Sequence, residues 1–360
     1  MAEELRLVYN DAFLLKLSEL ITAHYSAFSA ADFYRDIVAD DWPDLALKAR
    51  MTRITQTLQR YLPADFHQAL AILTPVSTHF SSYEAMFFPE FVALYGLDDW
   101  AAAMPALAHF TQYSSAEFAV RPFIQQNSDK MMQQMTRWSK HDNAHLRRLS
   151  SEGCRPRLPW AEMLPEFIAD PTPIMPILRN LLQDGSLYVR KSVANNLNDI
   201  AKSHPDLLIN LVAEKRGEHP HTDWILKHAS RTLLKQAEPR ILRLFGLGEV
   251  SHLAPVKVIT NKPSVTIGEA FNFTFTLETT AKCLGNLRVE YGMHFVKANG
   301  KRNRKVFKIG EGQWREKQKV YSKTHSFKQL STRKHYPGEH KLEVLVNGQS
   351  VAECVFNVTA

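Results

Sequence analysis

"SVANNLNDIAKSH", residues 192–204, is the stretch of this 360-residue sequence that most directly indicates its fold. At 3.6 residues per turn, the stretch and the residues just before it form a helix with one apolar stripe and one polar stripe. The apolar stripe is Val189, Val193, Leu197 and Ile200, and the polar stripe is Lys191, Asn195, Asp199 and Lys202. Asn and Asp weaken helices because their short side chains compete for backbone hydrogen bonds, so a polar stripe containing them predicts a function beyond solvation.

The helical periodicity extends from residue 1 to about residue 246, with breaks at Pro, Gly and Asn/Asp. Four segments repeat one pattern, two apolar residues, a basic residue and an apolar stripe, around Arg121, Arg147, Arg190 and Lys227. Their spacings of 26, 43 and 37 residues fit helical-pair repeats that carry insertions. We therefore expect an α-solenoid of HEAT-like helical repeats, with "SVANNLNDI" as an inner helix of the binding surface.

The periodicity changes to two residues after residue 250, which predicts β-strands. The segments with this pattern are 271–279, 287–297, 305–309, 319–327, 340–346 and 350–358. Asn347 and Gly348 predict a hairpin turn between the last two. Six or seven strands in roughly 105 residues are typical of an immunoglobulin-like β-sandwich. The predicted fold class is thus multidomain, α then β, with a helical-repeat domain at 1–250 and a sandwich at 251–360.

Positive charge is concentrated in the predicted sandwich. The chain has a net charge of +7, but residues 251–360 hold 18 Lys and Arg against 8 Asp and Glu, a net +10, which leaves −3 for residues 1–250. The densest basic run, 297–308, contains no acidic residue. An isolated run of this kind can equally be a solvated loop, but in a basic domain it indicates an anionic polymer such as nucleic acid as the partner.

Several protein classes are disfavoured by the sequence. It has no apolar run of 18 residues and begins with an acidic amphipathic segment, so we expect a cytoplasmic protein without membrane association. Its three cysteines lack metal-ligand spacing, which predicts neither a metal site nor a disulfide framework. P-loop, GxGxxG, GxSxG and HExxH motifs are missing, and no cofactor is expected.

Two glutamates beside the repeats are candidates for chemistry. Glu117 precedes Arg121 by four residues, so it could simply form an intrahelical ion pair. Glu152 comes just before Gly153, near a predicted helix C-terminus, where a carboxylate opposes the helix dipole. The unfavourable position of Glu152 makes a functional role more plausible for it than for an ordinary surface acid.

Trp160 and Asp199 are further candidates. Trp160 follows Pro159 and comes shortly after Arg155 and Arg157, a setting that suits either packing between helices or a stacking platform for a base. Asp199 lies in the middle of its helix on the polar stripe, where an acid gains nothing from the helix start.

Three segments resemble the AlkC group of bacterial DNA alkylation repair proteins, relatives of the AlkD glycosylases. They are "NAHLRRLSSEGCRPRLPWA" (143–161), "DPTPIMPILRNLLQDGSLYVRKSVANNLNDIAKSHPDLL" (170–208) and "WILKHASRTLLK" (224–235). The similarity covers most of residues 1–250, and members with an added immunoglobulin-like C-terminal domain are known in this group. The resemblance implies a glycosylase that excises cationic N3-methylated bases from duplex DNA, with 3-methyladenine foremost and 3-methylcytosine as a further candidate, without deep base flipping. A monomer is the simplest expectation.

The resemblance and the chemistry together suggest roles for the candidates. A base alkylated at N3 is already cationic and leaves as a neutral group, so the enzyme must stabilise an oxocarbenium-like sugar and position a water molecule. We expect Glu117, Glu152 and Asp199 to be catalytic, with Asp199 or Glu117 orienting the water. Trp160 is expected to contact the lesion.

Cationic and polar side chains are expected to hold the DNA. In the helical domain these are Arg148, Arg155, Arg157, Asn195, Lys202, His228 and Arg231. In the sandwich they are Lys301, Arg302, Arg304 and Lys305, on a loop suited to a narrow groove. Arg121, Arg147 and Arg190, at the repeat positions, are expected to tie helical pairs together through buried acids.

Two other functions fit parts of the pattern. A non-catalytic binder of damaged or bent nucleic acid shares every feature except the acids, which would weaken binding to phosphates. A HEAT-type scaffold for protein interactions predicts an apolar or acidic groove, against which the polar stripe of residues 192–199 counts.

Overall fold

The structure, a computed structural model, describes residues 5–39, 41–329 and 334–360. In these ranges sixteen α-helices precede eight β-strands, which confirms the predicted fold class of α followed by β. The helices are α1 Asp11–His24, α2 Ala30–Ile37, α3 Leu47–Tyr61, α4 Phe66–Ser77, α5 Phe87–Tyr95, α6 Trp100–Phe110, α7 Val120–Gln126, α8 Ser128–Trp138, α9 Ala144–Glu152, α10 Pro165–Ala169, α11 Met175–Asn180, α12 Leu187–Ala201, α13 Pro205–Lys215, α14 Pro220–Ala229, α15 Arg231–Lys235 and α16 Pro239–Leu244. None of the helices within the described ranges is long and apolar enough to cross a membrane.

Short polar side chains fix where several helices begin. Asn10, Asp65, Asp99, Asn127 and Asn143 each accept a hydrogen bond from a backbone amide in the first turn of the following helix. Caps of this kind stabilise a helix by about 1 kcal/mol each. At these five positions, the breaks that Asn and Asp introduce in the sequence pattern are therefore helix starts.

Helix α12 contains most of the "SVANNLNDIAKSH" stretch and packs against both α9 and α14. Its apolar stripe is buried as predicted, but Asn196, Asn198 and Asp199 are buried as well. The Asn196 amide nitrogen donates to the Ser151 carbonyl at 2.7 Å. Short polar groups thus lie between closely packed helices, and only Asn195, among the three asparagines, remains partly exposed.

The chain forms two compact units. The first extends to His204 and includes Lys215–Ala229, and the second comprises Pro205–Glu214 and Ser230–Ala360. The second unit therefore begins before residue 250, because α15, α16 and nearly all of α13 group with the β-strands. The change of periodicity in the sequence marks the first strands and does not show which unit the preceding helices join.

The second unit contains a sandwich of two sheets. Its strands are β1 Val258–Thr260, β2 Ser264–Thr266, β3 Ala270–Glu278, β4 Gly285–Val296, β5 Arg302–Trp314, β6 Gln318–Ser326, β7 Gly338–Val346 and β8 Gln349–Thr359. The sheets have the orders β1-β3-β6 and β2-β8-β7-β4-β5, and all pairs are antiparallel except β2 with β8. The predicted hairpin turn is confirmed, since Asn347 and Gly348 have φ of 49° and 79° between β7 and β8. β1 and β2 were not predicted because three residues are too few to show a period of two.

Candidate active site

An open cleft of about 540 Å³ lies in the first unit, lined by the segment between α6 and α7, by α9 and by the loop that follows α9. Its aromatic lining includes Tyr83, Tyr113, Phe118, Trp160 and Tyr188. Its charged lining is Glu117, Arg148, Glu152 and Arg155. The structure therefore brings together five of the residues that the sequence marked for the site, Glu117, Glu152, Trp160, Arg148 and Arg155.

Charged side chains of alternating sign run from this cleft into the protein interior. Glu117 pairs with Arg148, whose Nη2 lies 3.6 Å from Glu152 Oε1. The same Glu152 oxygen accepts a hydrogen bond from Arg155 Nη1 at 2.6 Å. Arg155 continues to Asp199, with its Nε and Nη2 at 2.9 and 2.8 Å from Asp199 Oδ2.

Lys202 is the last member of this series of ion pairs, with its Nζ 2.8 Å from Asp199 Oδ1. We call the six residues Glu117, Arg148, Glu152, Arg155, Asp199 and Lys202 the ion-pair chain. It holds three acids and three bases, so its net charge is zero. Each inner member has two partners, so removal of one member leaves a buried neighbour with one partner fewer, and breaking a buried ion pair costs about 3–5 kcal/mol in comparable cases.

The two arginines of the ion-pair chain are firmly charged. Burial acts to lower the pKa of Arg155, but Glu152 and Asp199 outweigh it and raise that pKa. Burial likewise acts to lower the pKa of Arg148, and Glu152 and Glu117 raise it. The acids of the cleft therefore face permanent cations. Neither arginine gives up a proton at neutral pH, so neither acts as a general acid.

Glu117 lies in the turn before α7, outside the helix in which an ion pair with Arg121 would have formed. Its Oε2 accepts a hydrogen bond from Ser115 Oγ at 2.7 Å and pairs with Arg148. Its side chain is 15% exposed, more than either other candidate acid. Glu117 is thus the acid most accessible from the cleft.

Glu152 is the last residue of α9, as the sequence predicted. Arg155, three residues later, pairs with its carboxylate and offsets the unfavourable interaction with the helix dipole. The next residue is Gly153, where a Cβ would lie 2.5 Å from Val120 Cγ2. Close packing of α9 against α7 therefore requires glycine directly after the acid.

Asp199 lies behind the cleft. Its side chain is 3% exposed, it does not line the opening, and both of its oxygens accept hydrogen bonds from cations. The position differs from that expected for an acid that touches the water directly. Asp199 instead holds Arg155, which in turn holds Glu152.

Trp160 lines the cleft with 59% of its surface exposed. Its φ is 65°, in the left-handed region that bulky side chains rarely adopt. Such a conformation costs roughly 1–3 kcal/mol and persists only where neighbouring contacts hold it. An exposed indole on a strained backbone is the opposite of the ordinary packing role that the sequence also allowed.

The other residues proposed to hold DNA lie in varied surroundings. Arg155 is buried and forms ion pairs with two acids, Glu152 and Asp199. It therefore lacks the exposed guanidinium that a contact to a DNA phosphate requires. Arg157 donates to Ser203 Oγ at 2.8 Å, and the partly exposed Lys202 binds Asp199. The His228 ring stacks on Trp224 with ring centroids 5.1 Å apart.

Arg231 begins α15 and belongs to the second unit, unlike the residues around the cleft. In the sandwich, Arg302 and Arg304 at the start of β5 pair with Glu339 and Glu343 of β7. Their positive charges are thereby partly neutralised. Exposed Lys301 and Lys305 flank them on the same hairpin.

The repeat arginines have the structural roles expected of them, with a difference in partners. Arg147 binds Asp184, with its Nε 2.6 Å from Oδ2, as an arginine that ties helices through an acid should. Arg121 and Arg190 instead donate to backbone carbonyls. Guanidinium groups can bind several carbonyls at once, a use that sequence periodicity does not distinguish from ion pairing.

Sequence reasoning missed several residues of the cleft. Ser115, which binds Glu117, and the aromatic residues Tyr83, Tyr113 and Tyr188 were not singled out. Tyr188 had a detectable signal, since it precedes Val189 on the inner helix and is exposed there. Tyr83 had no comparable signal in the sequence, because it lies in a short turn about 30 residues before the first repeat.

Cysteine chemistry does not account for the cleft. Cys154 lies in the sequence between two residues of the cleft, Glu152 and Arg155. Its side chain is buried, and burial raises the pKa of its thiol to about 12. A thiol with this pKa is not a thiolate nucleophile at neutral pH. Within the described ranges, no group of three or more His, Cys, Asp or Glu residues could hold a metal ion.

The two parts of the chain match two family models. Residues 110–233, which include Glu117, Glu152 and Trp160, match the model described as DNA alkylation repair enzyme. Residues 256–360 match the model described as Uncharacterised protein YhaZ, C-terminal Ig-like domain. Fold, cleft and family models together define a helical-repeat protein of DNA alkylation repair with an immunoglobulin-like C-terminal domain.

Relatives that match along the whole chain make the assignment more specific. The Uncharacterized protein YhaZ of Bacillus subtilis (strain 168) is 45% identical over 347 residues, which is 96% of this chain and 97% of that protein. The solved structure of the Pseudomonas fluorescens alkylpurine DNA glycosylase AlkC, bound to DNA containing an abasic site analog, is 39% identical, covers 99% of both chains and has a TM-score of 0.93. The chain belongs to the AlkC group of DNA alkylation repair glycosylases, and the resemblance stated from the sequence is confirmed.

Proposed function

We propose that this protein hydrolyses the N-glycosidic bond of cationic N3-alkylated bases in duplex DNA, with 3-methyladenine as the main substrate and 3-methylcytosine as a further one. The observation that carries the proposal is that Glu117 and Glu152 share one open cleft with the exposed Trp160. The similarity to a glycosylase bound to abasic DNA supports DNA as the partner of this chain. We propose that it acts as a monomer.

The chemistry required of the protein is modest. When the bond between C1′ and the base nitrogen breaks, its electron pair leaves with the cationic base, which becomes neutral and needs no proton from a general acid. Positive charge develops on the deoxyribose, and a water oxygen adds to C1′ and loses a proton. Carboxylates fixed beside the sugar stabilise this charge most strongly where water is partly excluded.

Glu117 is proposed to orient the water. Its Oε2 is held by Ser115 and Arg148, while no residue in the described part of the chain donates a hydrogen bond to its Oε1. The Oε1 atom can therefore accept a proton from a water molecule at the mouth of the cleft. A carboxylate fixed through one oxygen and available through the other suits this role.

Glu152 and Asp199 are proposed to act at increasing depth. Glu152 lines the cleft with a side chain that is 7% exposed, so its charge acts on the sugar through a largely protein environment. Asp199 does not line the cleft, and we propose that it positions Arg155 and through it Glu152. In this proposal Asp199 is a positioning residue and the water is oriented by Glu117.

Trp160 is proposed to contact the lesion. A cationic base over an indole face gains about 0.5–2 kcal/mol, which a neutral base does not. The exposed indole at an open cleft also lets the lesion be contacted at the surface of the duplex, without transfer into a closed pocket. Discrimination for cationic lesions then follows from the charge of the base.

A non-catalytic binder of damaged DNA remains the second candidate, because the ion-pair chain has no net charge and its acids repel phosphates less than free carboxylates would. Release of free bases from methylated duplex DNA, analysed by chromatography, separates the two. We expect wild type to release 3-methyladenine and Glu117→Gln protein, purified identically, to release far less. Tight duplex binding without release by wild type would favour the binder.

A further inference from the structure

The loop that carries Trp160 is held in a conformation that it would not adopt alone. We define the Trp160 loop as residues 153–164, between α9 and α10. Within it the Leu164 amide donates to the Pro156 carbonyl at 3.1 Å, and Trp160 has a positive φ of 65°. Left-handed backbone at a bulky side chain persists only where other parts of the protein fix it. The residues that fix it therefore influence the cleft without lining it.

Arg121 joins the two ends of the Trp160 loop. It lies on α7 and is 5% exposed. Its Nη1 donates to the carbonyls of Gly153 and Arg155 at 3.1 and 3.0 Å, and its Nη2 donates to the carbonyl of Glu162. Burial lowers the pKa of Arg121 to about 10, so the guanidinium is still charged at neutral pH. One buried cation thus binds carbonyls from both the start and the end of the loop.

Lys48 holds the middle of the same loop. It lies on α3, 112 residues before Trp160, and its Nζ donates to the Trp160 carbonyl at 2.9 Å. The same Nζ lies 4.9 Å from the ring centroid of Phe118, a residue of the cleft wall. The acceptor belongs to the one residue of the loop with positive φ. This lysine therefore fixes the peptide on which the strain falls.

We propose that Arg121 and Lys48 are positioning residues that clamp the Trp160 loop and set the place of the indole over the cleft. Neither side chain lines the cleft, and both bind backbone carbonyls of the Trp160 loop. The inference rests on the proposed function, in which Trp160 contacts the lesion. Fixing the indole before DNA binds removes an ordering cost from the reactive complex, and small displacements at such positions lower rates strongly.

Lys48 offers a test because it is exposed and its removal leaves the core intact. The full chain would be labelled with 5-fluorotryptophan, and the Trp160 signal among the six tryptophans would be assigned in the ¹⁹F NMR spectrum with Trp160→Phe. We expect Lys48→Met to shift or broaden the Trp160 signal and to lower the single-turnover excision rate by about tenfold, with duplex affinity changed by less than about twofold. Lys48→Arg should restore both.

A matched control comes from the same unit. Lys130 Nζ lies 4.2 Å from the ring centroid of Trp100, so Lys130→Met also removes a cation from an aromatic ring. We expect this control to leave the Trp160 signal and the excision rate unchanged. Arg121→Lys keeps the charge but cannot reach three carbonyls, and it should perturb the Trp160 signal as Lys48→Met does.

An unchanged Trp160 signal together with an unchanged rate in Lys48→Met would overturn the clamp, and an unchanged signal in Arg121→Lys would exclude Arg121 from it. Absence of base release by the wild type would contradict the proposed function instead. The NMR signal is measured without a reaction, so the two failures can be told apart.

Discussion

At the scale of single residues, the candidate site is organised by buried charge pairs. Glu152 and Asp199 are held by Arg155, and Glu117 by Arg148, so each acid has a fixed position before any substrate binds. Fixed charges need no reorganisation when positive charge develops on a sugar, which is the main source of electrostatic catalysis. The same pairing makes each acid important for stability as well as for chemistry.

Asp199→Asn separates these effects. Loss of the charge leaves Arg155 with one acid, so we expect Glu152 to be less well fixed and single-turnover excision to fall by at least about tenfold, or about 1.4 kcal/mol. We also expect a lower unfolding temperature because a buried cation loses a partner. The measurements are excision kinetics, duplex affinity and thermal unfolding. An unchanged rate in a destabilised protein would limit Asp199 to a structural role.

The sequence could indicate which residues matter at this scale but not how they pair. Glu117 has a basic residue four positions later, Arg121, and a local ion pair with it is the alternative to the catalytic role that the sequence predicts. Its partner is Arg148, because the helix begins only at Val120 and Glu117 points into the cleft instead. Pairing across distant segments depends on how helices pack, which one sequence does not contain.

At the scale of elements, long regular segments were predictable and short or buried ones were not. The stripe on α12 was recognised as a helix with unusual polar residues, but the burial of Asn196 against α9 could not be read from its period. In the sandwich, β3, β4, β6, β7 and β8 lie within a few residues of their predicted bounds. β5 is longer than predicted because it pairs with β4 from Arg302 onward, where the charged sequence hides the alternation.

The sandwich should lose stability in acid because of His340. This histidine is fully buried, its Nδ1 donates to the Gly338 carbonyl at 3.0 Å, and its Nε2 accepts from the Val296 amide at 3.3 Å. Burial lowers its pKa below the ordinary 6.5, with Arg302 adding to the effect. The neutral form is therefore favoured in the folded state, and stability is lost as pH falls below 6.5 towards the folded-state pKa.

Urea unfolding of the full chain at pH 7.5 and pH 5.5 measures this contribution, which is at most about 1.4 kcal/mol. His340→Gln cannot take up a proton in this range and should show a smaller difference between the two pH values. His325 and His335, which are also buried in the sandwich, are unchanged in the variant. An equal pH dependence in wild type and variant would assign the effect to other groups.

At the scale of the whole molecule, charge is divided unevenly along the chain. Residues 251–360 carry a net +10 and residues 1–250 a net −3. Glu339 and Glu343 partly neutralise the charges of Arg302 and Arg304. Lys301 and Lys305 are therefore the better candidates for phosphate contacts on that hairpin. The division of charge was visible in the sequence, but the neutralising pairs were not.

Replacing Lys301 and Lys305 together by Ala should weaken duplex binding and reduce the dependence of the logarithm of affinity on the logarithm of salt concentration by about 2. The matched control replaces Lys262 and Lys341, which pair with Glu269 and Glu353, and changes the net charge equally. Duplex affinity measured at several salt concentrations gives both slopes. Equal slopes for the two double variants would remove the hairpin from the proposed DNA-binding surface.

The central claim is that the carboxylates of the cleft serve bond cleavage rather than DNA binding, and Glu117 tests it most directly. The measurement is single-turnover excision of 3-methyladenine from a duplex with one lesion, by wild type, Glu117→Gln and the control Glu19→Gln on the exposed side of α1. We predict that Glu117→Gln is at least about tenfold slower while its duplex affinity is unchanged or slightly higher, and that the control matches wild type. Equal losses of rate and affinity in Glu117→Gln, or no loss of rate, would contradict the account.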